Sequence, residues 1–339
     1  MRLRAVTIFL LAFASVTPSF ASCGSSSCPL DTHMLNLPGK GHFALDLSLQ
    51  YVDQDQPRIG SRRARVGELE GEHHDEVRTL NRIATALLSY APTDRLHLSI
   101  AVPYVSRDHL HLASSHDHGA SAVRPDHNIV PESWDLDGIG DVIVQARGEV
   151  LPIDPVTKSG LWVIGGVKLP TGAHDVRNGE GETGELPVQP GSGTTDGIVG
   201  LSYQGGFIHS SGASGPMGDF AVVPYFVSAM LQIRMGETRG YRLGNELQVN
   251  AGGGYPLLPR LDVLLQMNAR FRAKDHIEEE PEEEGLTGGT YVYASPGLRV
   301  SFSDRASAYA LVQLPLEQHV NGIQLTSNAN YVVGLQTRF

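Results

Sequence analysis

What the sequence lacks sets its limits. Beyond the first twenty or so residues no stretch is long and apolar enough for a membrane-spanning helix, which needs roughly 18 such residues. An exported chain of this kind can therefore enter a membrane only as a closed barrel. Long helix-forming blocks of Ala, Glu, Lys and Leu are missing too, whereas glycine is abundant at 38 residues, a balance that suits β structure. Clustered Lys and Arg are scarce, and the formal net charge is −11, which argues against a nucleic-acid partner because phosphate binding needs grouped cations. Cysteine is limited to Cys23 and Cys28.

The N-terminus supplies an export signal. "MRLRAVTIFLLAFASVTPSFA" has two early arginines, an apolar stretch from Ala5 to Val16, then Pro18 and small residues, the pattern of a cleavable secretory peptide. Cleavage after Ser19-Phe20-Ala21 puts the mature start near Ser22 and removes the positive charges of Arg2 and Arg4. We expect a signal peptide over residues 1–21, a periplasmic segment over 22–40 and a barrel over 41–339. Cys23 and Cys28, in "SCGSSSCPLD", then lie in an oxidising compartment, where a small disulfide loop is the first reading. Acylation of Cys23 and ligation of a soft metal are its competitors.

The rest alternates with period 2, the spacing at which a strand presents one face to each side. "HFALDLSLQY" sets Phe43, Leu45, Leu47, Leu49 and Tyr51 against Asp46, Ser48 and Gln50. "RLHLSIAVPYV" sets Leu96, Leu98, Ile100, Val102 and Tyr104 against His97 and Ser99, and "RLDVLLQMNARF" repeats the pattern with Leu261 to Phe271. About a dozen such segments, each near ten residues, predict an all-β transmembrane antiparallel barrel of about 12 strands. "NRIATALLSY" supports either register, and Pro224 and Pro296 fall inside predicted strands, where a missing N–H costs a ladder bond.

The connections give an independent test, since such barrels carry long outer loops and short periplasmic turns. Long segments over 52–75, 108–136 and 171–196 alternate with short ones around "APTD" and "PIDPVTK". An even strand number places both termini in the periplasm of a Gram-negative cell. The closing "YVVGLQTRF" ends on Phe339, placed as an aromatic of the periplasmic girdle and as a signal read by the barrel-assembly machinery. A soluble β-sandwich also alternates, but it explains neither the rhythm of the connections nor the terminal aromatic.

At mid-chain, "GGVKLPTGAHD" (165–175) and "ELPVQPGSGTTDGIVGLSYQ" (185–204) resemble the bacterial outer-membrane family named for a putative meta-pathway of phenol degradation. "LDGIGDVIVQAR" and "VNGIQLTSNANYVVGLQTRF" are similar to that group as well. The resemblance covers residues 135–339 well and the His-rich first third poorly. It implies a barrel for uptake or efflux of small molecules, and it brings no catalytic set.

The inward faces predict a wet, mixed-charge lumen lined by Gln145, Arg147, Lys168, Arg242, Glu246, Gln248, Asp262, Gln266, Arg270 and Arg299. Such a lining can set the selectivity of a conduit or lock a narrow barrel with salt bridges. Histidine is the other outlier. "DHLHLASSHDHG" holds His109, His111, His116 and His118, and "EGEHHDEV" holds His73 and His74. His-x-His puts both imidazoles on one side of an extended chain, a spacing that suits Zn²⁺, Cu²⁺ or Ni²⁺ once other ligands join, with polar loop decoration as the plain alternative. "IEEEPEEEG" reads as a solvated acidic loop, or as a mouth that concentrates cations or bridges lipopolysaccharide phosphates through them.

Enzymatic readings find little. "QHVNGI" echoes an outer-membrane phospholipase signature through His319 and Asn321 but lacks its serine, and "GSGTTDG" lacks the Lys-Ser/Thr of a phosphate-binding loop. The expected protein is a non-enzymatic channel or transporter for a small solute or metal ion, surrounded by outer-membrane lipid and lipopolysaccharide. A non-conducting barrel whose surface loops bind a partner or lipopolysaccharide is the alternative.

Overall fold

The computed structural model describes Leu30, residues 37–66, 68, 75–114, 129–154, 156–157, 159–210, 220–278, 281 and 283–339. The signal peptide, the cysteine pair and His73, His74, His116 and His118 lie outside the described residues. The strands in chain order are β1 (Phe43–Gly60), β2 (Arg62–Arg63), β3 (Asp75–Thr93), β4 (Leu96–Ser114), β5 (Ile129–Ile139), β6 (Ile143–Asp154), β7 (Ser159–Lys168) and β8 (Asp196–Ser210). They continue with β9 (Phe220–Arg234), β10 (Tyr241–Arg242), β11 (Glu246–Leu258), β12 (Leu261–Arg272), β13 (His276–Ile277), β14 (Gly289–Ser301) and β15 (Ala306–Arg338).

Eleven of these close into one antiparallel ring, in the order β1-β3-β4-β6-β7-β8-β9-β11-β12-β14-β15 and back to β1. Closure removes the free edges that an open sheet would expose. β15 pairs with β14 through Ser307–Val320 and with β1 through its later half, reversing near Gly322, whose φ is +59°. It thus crosses the wall twice, which accounts for the expected twelve passages. β2 and β5 bond to the ring from outside it, and β10 pairs with β13 as a separate ribbon. β5 follows β4 above Tyr104 and β6 follows it below Ala101, so the two continue one another across a break at residues 140–142.

The first and last wall strands meet where the ring closes. The Phe43 N–H donates to the Phe339 carbonyl at 2.8 Å, and the Phe339 N–H donates to the Phe43 carbonyl at 3.0 Å. The Phe43 ring stacks on Phe339 with centroids 5.8 Å apart and on Tyr90 at 4.4 Å, an aromatic group at the short-turn end of the wall.

Exposed large apolar side chains cover the outer face, among them Leu47, Leu49, Ile100, Val102, Val163, Leu201, Leu231, Leu265, Leu298, Val333 and Leu335. The inner face carries most of the buried polar residues, including Gln54, Asn81, Ser202, Asn250, Asn268, Ser295, Gln313 and Asn330. This inverted arrangement, oily outside and wet inside, is the one a closed sheet needs in lipid. β3 settles the register the sequence left open: Arg82, Ala84 and Leu88 point outward and Asn81 inward.

Two expected loops are shorter than the sequence reading had them. β1 runs on to Gly60, β4 reaches Ser114 and β5 begins at Ile129. Charged cross-strand pairs hold these extensions on the outside: Arg78 grips Asp53 at 2.6 and 2.8 Å, and Arg82 meets Asp108 at 3.0 Å. Such pairs belong above the hydrocarbon, so they mark the upper edge of the apolar belt. Pro224 sits in β9 opposite Gly206, and the β14–β15 pairing lapses beside Pro296.

Candidate functional site

The long-loop half of the lumen is filled, and the mid-chain motifs do the filling. Lys168, at the end of β7, reaches the Asp141 carboxylate at 2.6 Å and Asp196 at 3.1 Å, and donates to the Thr194 carbonyl at 2.9 Å and to the Ser192 hydroxyl. Asp141 also accepts the Gly172 N–H at 3.0 Å and the Ser192 N–H at 2.9 Å. Arg234 and Gln232 complete Asp196, at 2.5 and 2.8 Å. Two cations and two carboxylates thus neutralise one another where an unpaired charge would be costly.

Backbone proximity makes the knot possible. A Cβ on Gly191 would lie 2.5 Å from the Gly172 Cα, so the two motif segments touch main chain to main chain.

Residues 169–195 then fold inward. Val188 packs with Trp134 and Leu136, joined by Val176, and the buried Arg107 guanidinium caps the carbonyls of Pro187, Val188 and Gln189. The described residues 273–278 and 283–288 close the other side. Gln324 donates to the carbonyls of Leu286 at 2.6 Å and Gly288 at 2.8 Å, and Asn321 donates to Thr287 at 2.8 Å. Arg272 and the Tyr241 hydroxyl both bond Asp275, at 2.6 and 2.5 Å, and burial together with that carboxylate pushes the Tyr241 phenol well above its ordinary pKa.

The short-turn half is different: it holds space. A mid-barrel cavity of about 270 Å³ is lined by Leu30, Leu87, Ile143, Ile198, Met230 and Val332, interleaved with the amides of Gln50, Gln145, Gln232, Gln248 and Asn250. Among the described residues Asp46 is the one charged member of the lining, and it accepts the Tyr309 hydroxyl at 2.9 Å and the Gln336 amide at 2.7 Å. Leu30 enters from the pre-barrel segment and packs on Leu264, Tyr309, Leu311 and Val332. A second cavity of about 730 Å³, bordered by Leu37, Asp94, His97, Trp162, Gln204 and Arg338, lies at the short-turn end. Beside it the Arg147 guanidinium sits 4.6 Å above the Trp162 ring and donates to Gln204 at 3.0 Å and Ser202 at 3.2 Å.

The expected lumen residues divide accordingly. Gln145 and Gln248 line the mid-barrel cavity. Lys168 belongs to the knot; Glu246 pairs with Arg270 and Asp262 with Arg299, at 2.6 and 2.7 Å; and Gln266 is buried at the wall beside Asn268. Arg242 is a correction: it lies exposed in β10, opposite His276, because the chain leaves the wall at Gly244, where no Cβ fits against the Ala273 carbonyl. Asp141, Ser192, Asp196 and Arg234 escaped the sequence reading, although three of them stand in or beside the motifs.

His109 and His111 are a second correction. They lie on β4 rather than in a loop, buried against the inner wall, with His109 on the Thr79 hydroxyl at 2.8 Å and His111 on Glu132 at 2.8 Å. Both rings lean on Trp134. Among the described residues no three His, Cys, Asp or Glu side chains come together as metal ligands.

No protein-family model matches the sequence, and no curated protein matches it. Among solved structures the chain is similar to the COG4313 outer membrane channel from Pseudomonas putida F1, at TM-score 0.57 and 13% identity over 92% of this chain and 100% of that one. Looser likenesses are a Pseudomonas aeruginosa FadL homologue, at TM-score 0.41 and 11% identity over 91% of this chain and 93% of that one, and the translocator domain of the autotransporter NalP from Neisseria meningitidis, at 0.41 and 11% over 91% and 92%. At such identities the likeness is one of fold, and the fold is the outer-membrane β-barrel.

Proposed function

We propose that this protein is an outer-membrane channel for a small, uncharged, amphipathic organic solute. The mid-barrel cavity carries the reading: its wall interleaves aliphatic side chains with neutral amides, and the one carboxylate among its described lining residues is already hydrogen-bonded. An ion entering there would shed water without meeting a free counter-charge. A neutral molecule with an apolar body and a polar end would keep both kinds of contact. The resemblance at residues 165–204 to a family described as transporters of small molecules agrees with this use.

In the same reading the signal peptide is removed on export, Cys23 and Cys28 close a small loop, the assembly machinery engages Phe339, and lipopolysaccharide and phospholipid surround the apolar belt. The packed long-loop half must loosen for a solute to pass, so ionic conductance will be low. Liposome-swelling assays with neutral organic solutes, run beside planar-bilayer recordings, test this. Swelling faster than in barrel-free liposomes, with little ion current, is expected; no swelling with any solute overturns the channel.

A second reading has its own support. Because residues 169–195, 273–278 and 283–288 fill the long-loop half, a barrel that conducts nothing and presents its outer surface to a partner or to lipopolysaccharide fits the same geometry. Metal capture draws no support from His109 and His111, which are engaged inside the wall.

A further inference from the structure

A group of arginines at the short-turn rim takes no part in the proposed passage. Arg260 stands in the turn between β11 and β12, Arg305 in the turn between β14 and β15, Arg299 near the end of β14 and Arg338 at the end of β15. Together with Ser301 and Ser303 they line a pocket of about 300 Å³. In a chain of net charge −11 such a concentration of guanidinium is a local reversal of sign.

The pocket is built rather than incidental. Arg260 donates to the Phe302 carbonyl at 3.0 Å, and Arg338 to the Asp304 carbonyl at 2.9 Å, so both guanidiniums are fixed by the main chain of one turn. That turn is itself pinned, because the Ser303 hydroxyl accepts the N–H groups of Arg305 and Ala306 at 3.2 and 3.1 Å. Arg299 is neutralised by Asp262 at 2.7 Å. Asp304 is the pocket's own acid, which leaves Arg260, Arg305 and Arg338 with two positive charges in excess. Among the described residues the Arg305 guanidinium has no hydrogen-bond or ion-pair partner.

We infer that this pocket binds a phosphate group, with Arg260, Arg305 and Arg338 donating to its oxygens. Two guanidiniums fixed by the main chain and a third left free to reach, arriving from separate elements, match the several acceptor oxygens of a phosphate. Position names two sources for it. Phe302 and Phe339 are exposed on the same rim, at 58% and 56%, where they would sit at the inner-leaflet boundary. A phospholipid headgroup and a soluble periplasmic phosphate both come within reach there.

The test compares the full-length folded barrel with the double variant Arg260→Ala/Arg305→Ala, both side chains being exposed at turns. Inorganic phosphate is titrated into protein in a phosphate-free detergent by calorimetry. In parallel, nanodiscs of mixed phosphatidylglycerol and phosphatidylcholine are assembled and the lipid retained after extraction is counted by ³¹P NMR. Loss of two charge-assisted contacts should weaken binding by about tenfold or more. Phosphate binding that falls in the variant identifies a site open to soluble phosphate; phosphatidylglycerol retention that falls while free phosphate fails to bind identifies the headgroup. Absence of both signals in the wild type, or equal signals in wild type and variant, overturns the inference. A heat-modifiability gel on both proteins confirms that the variant is folded.

Discussion

The two halves of the lumen are built from opposite materials. Toward the long loops, buried charges among the described residues are paired: Lys168 with Asp141 and Asp196, Arg234 with Asp196, Glu246 with Arg270, Arg272 with Asp275. Toward the short turns, the mid-barrel cavity is bounded mainly by aliphatic side chains and neutral amides, with the hydrogen-bonded Asp46 as the charged residue of its described lining, and contains unfilled volume. Inside a barrel, then, a charged residue is as apt to be structure as to be selectivity filter. The solute's path is better sought where polarity is mild and space remains.

The largest effect that could break this division is Lys168→Met. Removing the cation leaves Asp141 and Asp196 buried near one another, and breaking a buried pair in this way costs about 3–5 kcal/mol. Denaturant unfolding in detergent, followed by the gel shift between folded and heated forms, should show a loss of that size. If Lys168→Met is as stable as the wild type, the long-loop half is not held by its ion pairs and the contrast between the halves fails.

Next in size is Gly191→Ala. The added Cβ would meet the Gly172 main chain at 2.5 Å, and overpacking of this kind costs about 1–3 kcal/mol. Its cost should fall on the inward-folded 169–195 segment, read as faster amide exchange there with the wall strands unchanged. Uniform exchange across the barrel would mean that the motif supports the wall rather than the cap.

How much of this was legible in the chain follows from the same contrast. Strand faces were readable because alternation is local: Phe43, Leu47, Leu49 and Tyr51 turn outward, as their spacing requires. Which inner charges meet was not, because pairing depends on register between strands far apart in sequence; Asp46 takes its Gln336 bond across the closing seam, 290 positions away. The histidines on β4 misled for a related reason. "DHLHL" reads as loop because of its polar residues, yet it continues the strand: His109 and His111 turn inward while Asp108, Leu110 and Leu112 take the other face. Arg242 misled because alternation continues unbroken through Gly244, while the backbone crowding that ends the wall strand there has no trace in the pattern.

A smaller effect sharpens the other half. Met230→Trp puts a larger side chain into the mid-barrel cavity without touching an ion pair. Neutral-solute flux in the swelling assay should fall severalfold while the unfolding midpoint moves little. Arg147 offers the matching control: Arg147→Gln removes the charge above Trp162 outside the mid-barrel cavity's lining, and flux of neutral solutes should change less than in Met230→Trp. The reverse ranking would move the constriction from the mid-barrel cavity to the short-turn end.

The smallest effect on the folded barrel is expected at its last residue. Phe339 contributes one stacking contact with Phe43, 5.8 Å between centroids, and half of its surface stays exposed. Stacking of this kind is worth about 0.5–1.5 kcal/mol, so Phe339→Ser should shift the unfolding of purified barrel only slightly, because the backbone bonds to Phe43 do not need the ring. Yield is a different quantity. If the terminal ring is what the assembly machinery reads, the fraction of exported chain that reaches the heat-modifiable form in the outer membrane should drop far more than that slight destabilisation can explain. A drop in proportion to the stability loss would make Phe339 an ordinary member of the aromatic rim, no different in kind from Tyr90.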